Sequence, residues 1–197
     1  MSLQIYLGPM FAGKSTRARE KVTTLADIGL KSVYINHGDD KRNTEGSDKN
    51  ITTHHSGFSK TSRKVDTIST YSLKSLDVTS WDVIGVDEFQ FFEDEEDVDT
   101  VSYWVEELNK TVFIAALDGD AQRKIFGHTL KLIPMADKVV KMRAYCDHCK
   151  DRGKKIKSSF TAKLVPDGVQ KDVGGKNKYI TLCRKCYRKH SAKFNKK

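Results

Sequence analysis

The sequence predicts an α/β fold, a parallel sheet with crossover helices that carries a small cysteine-clamped module behind it. Three observations lead there. Short apolar runs alternate with helix-forming segments through the front half, the pattern of strands joined by crossover helices. A glycine-rich turn, Gly8-Pro9-Met10-Phe11-Ala12-Gly13-Lys14-Ser15, links the first apolar run to the first helix. Two C-x-x-C pairs, Cys146/Cys149 and Cys183/Cys186, use all four cysteines of the chain.

Taken in order, Leu3–Leu7 is apolar and β-branched at its centre, a first strand, and Lys14–Leu30 has helix-forming composition. Ser32–Ile35 reads as the second strand. Residues 39–64 are polar with scattered Gly, Ser, Thr and Asn, and read as a long loop of the kind that often carries function. Asp82–Asp87 is a buried-strand pattern that ends in acid. Phe91–Asn109 reads as a helix whose acidic start, Glu93 to Asp99, suits the positive end of a helix dipole. Thr111–Leu117 is another buried strand, and 137–145 a further one with Val139 and Val140 central. Residues 150–157 are charged and read as exposed, and 165–178, rich in Gly, Asp and Lys, as a loop held between the cysteine pairs. No internal repeat is visible. The expected units are 1–142 and 143–197.

A chain of 197 residues holds one solid core plus a satellite module. No stretch approaches the roughly 20 apolar residues of a membrane span, and the N-terminus lacks a signal-peptide layout, so a cytoplasmic protein is expected. The net charge of +9 is uneven: residues 1–137 carry 16 Lys/Arg against 22 Asp/Glu, and 138–197 carry 19 against 4. A basic block of this kind invites a nucleic-acid reading. Few aromatics interleave its lysines as a stacking platform requires, so nucleic acid is not the expected partner.

The Gly8–Ser15 segment fits G-x-x-x-x-G-K-[ST] in its proper setting, after a strand and opening a helix. Its backbone N–H groups and the helix N-terminus make a phosphate cradle, Lys14 adds a full charge, and the Ser15 hydroxyl is placed to ligate Mg²⁺. This predicts nucleoside triphosphate binding. Asp87, at the end of its strand, takes the position of a metal-holding acid facing the phosphates, since ligands of open parallel sheets bind beyond the carboxyl ends of the strands. Glu88, next along, can accept the proton of a hydroxyl as the γ-phosphoryl transfers. Cys146, Cys149, Cys183 and Cys186 fit a closed, structural Cys₄ zinc site whose ion ties off a 33-residue spacer. His148, inside the first knuckle, reads as a turn residue and not a ligand.

Together the P-loop, Ile84-Gly85-Val86-Asp87-Glu88-Phe89-Gln90-Phe91-Phe92, Ala115–Gly119, Gln122-Arg123-Lys124 through Phe126-Gly127, the cysteine pairs, and Gly174-Gly175 followed by Tyr179 resemble the zinc-containing thymidine kinases. The resemblance runs from about Leu3 to Tyr187. It implies a RecA-like P-loop domain with a small zinc-bound lasso domain, and ATP-dependent phosphorylation of the thymidine 5′-hydroxyl, with deoxyuridine tolerated. Glu88 matches the catalytic base. Besides the P-loop, Asp40, Lys41, Arg42, Asp87 and Gln90 match segments that contact ATP and Mg²⁺. Met10, Phe91, Leu117, Ala121, Phe126 and Tyr179 match residues around the thymine pocket. The lasso residues Gln170, Lys171, Asp172, Val173 and Gly174 would close over the base through backbone hydrogen bonds. The resemblance further implies a homotetramer, inhibition by thymidine triphosphate and a role in nucleotide salvage. The chain departs from the family pattern at Phe89, where glycine is usual, at Ala121, where an aromatic is frequent and whose small side chain leaves a roomier pocket, and at Asp172, where an apolar residue is common. A competing reading is a nucleic-acid-stimulated P-loop ATPase with the zinc module as its binding arm.

Overall fold

The computed structural model describes residues 1–39 and 65–194. Its centre is a six-stranded sheet in the order β3-β2-β4-β5-β1-β6, with every neighbouring pair parallel. The strands are β1 (Ser2–Leu7), β2 (Ser32–His37), β3 (Val65–Thr70), β4 (Val83–Val86), β5 (Thr111–Ala116) and β6 (Lys138–Lys141). All residues of β2 and β4 are buried, and all but the first of β5. Uninterrupted burial of this kind is what a parallel sheet covered on both faces shows. Side-chain alternation sorts them into two cores. Leu3, Ile5, Leu7, Val112, Ile114 and Ala116 pack with Val98, Val101, Trp104 and Val105 of helix α2 (Glu96–Glu106). Tyr6, Phe113 and Ala115 pack with Ala18, Val22 and Ala26 of helix α1 (Lys14–Asp27) on the other face.

Helix α1 stops at Asp27, short of the expected Leu30, because Gly29 takes φ +101° and the Leu30 N–H turns back to the Leu25 carbonyl at 3.2 Å. Helix α2 starts at Glu96, later than the expected Phe91, because residues 89–91 form a separate 3₁₀ turn that buries Phe89. The strand expected over 137–145 is split. β6 follows β1 only as far as β1 extends; the Met142 N–H reaches the Leu7 carbonyl at 2.7 Å, and the P-loop then removes the partner. Gly8 (φ +146°) permits that close approach: a Cβ there would sit 2.4 Å from the Met142 carbonyl oxygen. β3 was hidden by its polar sequence, Val-Asp-Thr-Ile-Ser-Thr, which suits a sheet edge.

Beyond residue 143 the chain makes two small antiparallel ribbons, β7 (Ala144–Tyr145) with β8 (Lys157–Ser158) and β9 (Phe160–Lys163) with β10 (Tyr179–Leu182), plus the short α3 (Asp147–Lys150) and α4 (Arg184–Phe194). Their core is slight: Ala162, Leu182, Tyr187 and three buried cysteines. The charged 150–157 stretch is exposed as expected. Among the described residues no helix is long and apolar enough to cross a membrane.

Candidate active site

Because all six strands run the same way, the ends of β1, β4 and β5 open on one edge of the sheet. β1 leads into the P-loop, where Gly13 adopts the left-handed conformation (φ +84°) and the next residue begins α1. Lys14 is 7 % exposed, and its Nζ donates to the Pro9 carbonyl at 2.9 Å, folding the loop around its own ammonium. The Ser15 hydroxyl donates to Asp87 Oδ1 at 2.8 Å. Asp87, 5 % exposed, arrives from β4, with β5 lying between β4 and β1. A hydroxyl and a buried carboxylate converging at the mouth of a phosphate cradle are the donor set a hard divalent cation prefers, so Ser15 and Asp87 would suit Mg²⁺.

Glu88 has φ +49° and ψ +43°, a left-handed conformation that is costly for a residue with a Cβ and that tends to persist at functional sites. Gln90, fully buried, holds it there. Gln90 Nε2 donates to Glu88 Oε2 at 2.6 Å, while Gln90 Oε1 accepts the Leu117 N–H at 2.9 Å. The amide thus ties the turn after β4 to the end of β5. The bulky Phe89 stands in the main core beside Phe92, ring centroids 5.8 Å apart, and does not enter the pocket.

One pocket collects most of the expected residues. The P-loop contributes Met10, Phe11, Gly13, Lys14 and Ser15 to it, and Glu88 lies within it. Phe91, Leu117, Ala121 and Phe126 supply its apolar floor, with Phe91 and Phe126 edge-to-face at 5.6 Å. Gln170, Asp172, Val173, Gly174 and Tyr179 close the opposite side. Gly8, Pro9, Ala12, Asp87, Gln90 and Lys171 do not line it. Lys171 bridges outward to Glu93 (2.7 Å) and Asp39 (2.9 Å). Asp40, Lys41 and Arg42 lie outside the described residues, as does most of the 39–64 segment.

The structure adds two residues that sequence reasoning passed over. Thr161, on β9, accepts the Met10 N–H at 3.0 Å and lines the pocket, joining the cysteine-bearing module to the P-loop. Asp120 accepts the N–H groups of Gln122 and Lys124, each at 2.8 Å, and through its other oxygen the Gln170 amide at 2.8 Å. Asp120 sits between two segments that carried the family resemblance; Thr161 lies in a stretch with no local pattern.

The four cysteine sulfurs lie within 4.8 Å of one another. Cys149 Sγ is 3.6 Å from Cys186 and 3.9 Å from Cys183. Tetrahedral zinc with Zn–S near 2.3 Å separates its sulfurs by about 3.8 Å, so the cluster lies near the spacing such an ion requires. Burial pushes the Cys146 thiol up to about 12, whereas Cys183, despite burial, is brought down to about 7 by hydrogen bonds from Cys186 and the other cysteines. Four thiolates cannot share this pocket without a cation to offset them. Arg152 Nη2 reaches Cys186 Sγ at 3.4 Å, adding positive charge beside the sulfurs. Asp147 in the first knuckle accepts the Thr181 N–H at 2.6 Å and so pins that knuckle to β10.

A parallel sheet with a P-loop after β1 and a buried acid after β4 defines a P-loop nucleotide-binding protein. The comparisons with known proteins narrow this. The chain belongs to the thymidine kinase family, whose model matches residues 1–187. It is 34 % identical over 192 residues to the thymidine kinase of Amsacta moorei entomopoxvirus, covering 95 % of this chain and 98 % of that one. It is 32 % identical over 190 residues to the fowlpox virus thymidine kinase (94 % and 96 %). To the cytosolic thymidine kinase of Cricetulus griseus it is 35 % identical over 196 residues, covering 96 % of this chain and 74 % of that one.

Proposed function

We propose that the protein transfers the γ-phosphate of ATP to the 5′-hydroxyl of thymidine, with Glu88 as general base. The observation that carries this reading is the single pocket in which Glu88 and an apolar, lidded chamber face the Lys14–Ser15 end of the P-loop. Family membership supports the substrate pair. Lys14 and the α1 N-terminus stabilise the negative charge of the phosphates, and Glu88, oriented by Gln90, accepts the hydroxyl proton as the phosphoryl moves. Mg²⁺, held by Ser15 and Asp87, would neutralise phosphate charge. The 164–178 loop excludes water, so that ATP is not lost to hydrolysis. Its backbone groups select a pyrimidine by shape, and an apolar slot for the thymine methyl gains only about 1–3 kcal/mol, so deoxyuridine should be tolerated. Zinc on the four cysteines anchors both roots of this loop and takes no part in the chemistry.

The same reading divides the chain into a kinase unit, 1–142, and a zinc-binding unit, 143–197. It makes the enzyme a cytoplasmic homotetramer that supplies dTMP by salvage and is inhibited by thymidine triphosphate. The test is a melting scan of zinc-loaded protein with single nucleosides. Thymidine should raise the transition temperature and adenosine should not. No response to thymidine, together with ATPase activity stimulated by DNA or RNA and weakened steeply by salt, would favour a nucleic-acid-dependent ATPase instead.

A further inference from the structure

The loop that covers the pocket, residues 164–178, has no regular structure of its own; ion pairs tie it to Lys163 of β9, and the Tyr179 hydroxyl ties it to β10. Lys163, the last residue of β9, is only 6 % exposed. Its ammonium lies 2.5 Å from the Asp167 carboxylate and 3.2 Å from that of Asp172. Asp172 also pairs with Lys178 at 2.6 Å, and its backbone carbonyl accepts the Tyr179 hydroxyl at 2.6 Å. One buried cation therefore reaches both the outgoing turn of the loop and the stretch that lines the pocket, Asp172 to Gly174. The two lysines beside Asp172 hold its carboxyl below the usual carboxylate range, and Lys163 does the same to Asp167.

We propose that Lys163 is a positioning residue for the acceptor pocket: its ammonium, shared between Asp167 and Asp172, holds the 164–178 loop across the pocket and keeps Asp172, Val173 and Gly174 in its wall. The two lysines differ in what they contribute. Lys178 has a half-exposed side chain (46 %), and a pair in that setting is screened and weak. Lys163 is covered, and a covered cation that loses one of its carboxylates is left with a charge poorly compensated. The proposal rests on the thymidine kinase reading for its catalytic consequence but not for its structural one, and the experiment separates the two.

Full-length, zinc-loaded protein is compared as wild type, Lys163→Met, Lys163→Arg, Asp172→Asn and Lys178→Met. In the first arm, thymidine KM and kcat are measured at saturating MgATP. Lys163→Met and Asp172→Asn should raise KM about tenfold while kcat stays within about threefold. Lys163→Arg should restore KM, and Lys178→Met should move it less than about twofold. In the second arm, trypsin cleavage after Lys171 is timed by mass spectrometry with no nucleoside present. Cleavage should be faster by about tenfold in Lys163→Met and Asp172→Asn and near wild type in Lys163→Arg. Should Lys163→Met fail to retain zinc, Asp172→Asn decides the matter. Wild-type KM or wild-type cleavage in the deciding variant overturns the proposal, and so does a Lys163→Arg that behaves like Lys163→Met. If the wild type phosphorylates no thymidine, the functional reading fails and the cleavage rates alone judge Lys163.

Discussion

The P-loop and the 164–178 loop face each other across one pocket, yet different forces hold them. The P-loop is braced by its own backbone, by the Lys14–Pro9 contact and by a sheet whose two faces are both covered with apolar cores. The opposing loop leaves β9 and returns to β10 on a core of a few residues that includes three of the four clustered cysteines, and ion pairs hold it along its length. The P-loop side is therefore preorganised by hydrophobic packing, which neither chelators nor moderate salt should disturb. The opposite side is held by charge and, in the proposed reading, by a metal on the four cysteines. A nucleoside can be admitted and enclosed by such a wall without loosening the phosphate cradle.

Conditions that attack one wall and spare the other should separate them. The largest effect is expected from the metal. Chelation of zinc, or Cys183→Ser, should lower turnover by about a hundredfold or more, because the module's folding energy comes largely from the ion. The sheet should nevertheless retain ATP binding, read by fluorescence of a nucleotide analogue; loss of that binding on chelation would mean that the two walls are not independent. Of the same order is Glu88→Gln. It removes a proton acceptor but keeps the hydrogen-bonding shape, so kcat should fall about 10²–10⁴-fold with nucleotide affinity unchanged. Retained turnover would remove Glu88 as the base. Gly127→Ala should act through the wall between them. Gly127 has φ +61°, and a Cβ there would lie 2.3 Å from the Gln90 carbonyl. The strain should cost about 1–3 kcal/mol in a denaturant titration and should lower kcat by shifting the turn that carries Glu88. Normal stability and rate would show that this close approach is not needed. The smallest of these effects is the tenfold change in KM expected at Lys163.

The same contrast explains what the sequence made legible. Gly8–Ser15, Asp87-Glu88 and the C-x-x-C pairs are patterns over a few consecutive residues, each demanded by local geometry; Met10, Phe11, Gly13, Lys14, Ser15 and Glu88 meet at one pocket, Asp87 bonds Ser15, and the four cysteines cluster apart from it. Thr161, Asp120 and Lys163 work through partners that lie far away in the chain or in a loop of no regular form, so no spacing announces them. The motif that contains Gln90 does not reveal that its amide joins Glu88 to the end of β5, because the partner there, Leu117, lies 27 residues away. β3 was missed because an edge strand carries little apolar signal, and the expected strand over 137–145 ran too far because its partner β1 ends at the P-loop.

The central claim is that Glu88 and the P-loop serve one phosphoryl transfer to thymidine. It is tested most directly by incubating zinc-loaded wild-type protein and Glu88→Gln with γ-labelled ATP, Mg²⁺ and thymidine, and following label into dTMP. Label should move to dTMP with the wild type and almost none with Glu88→Gln. No label in dTMP with the wild type, or equal transfer by both proteins, would contradict the account.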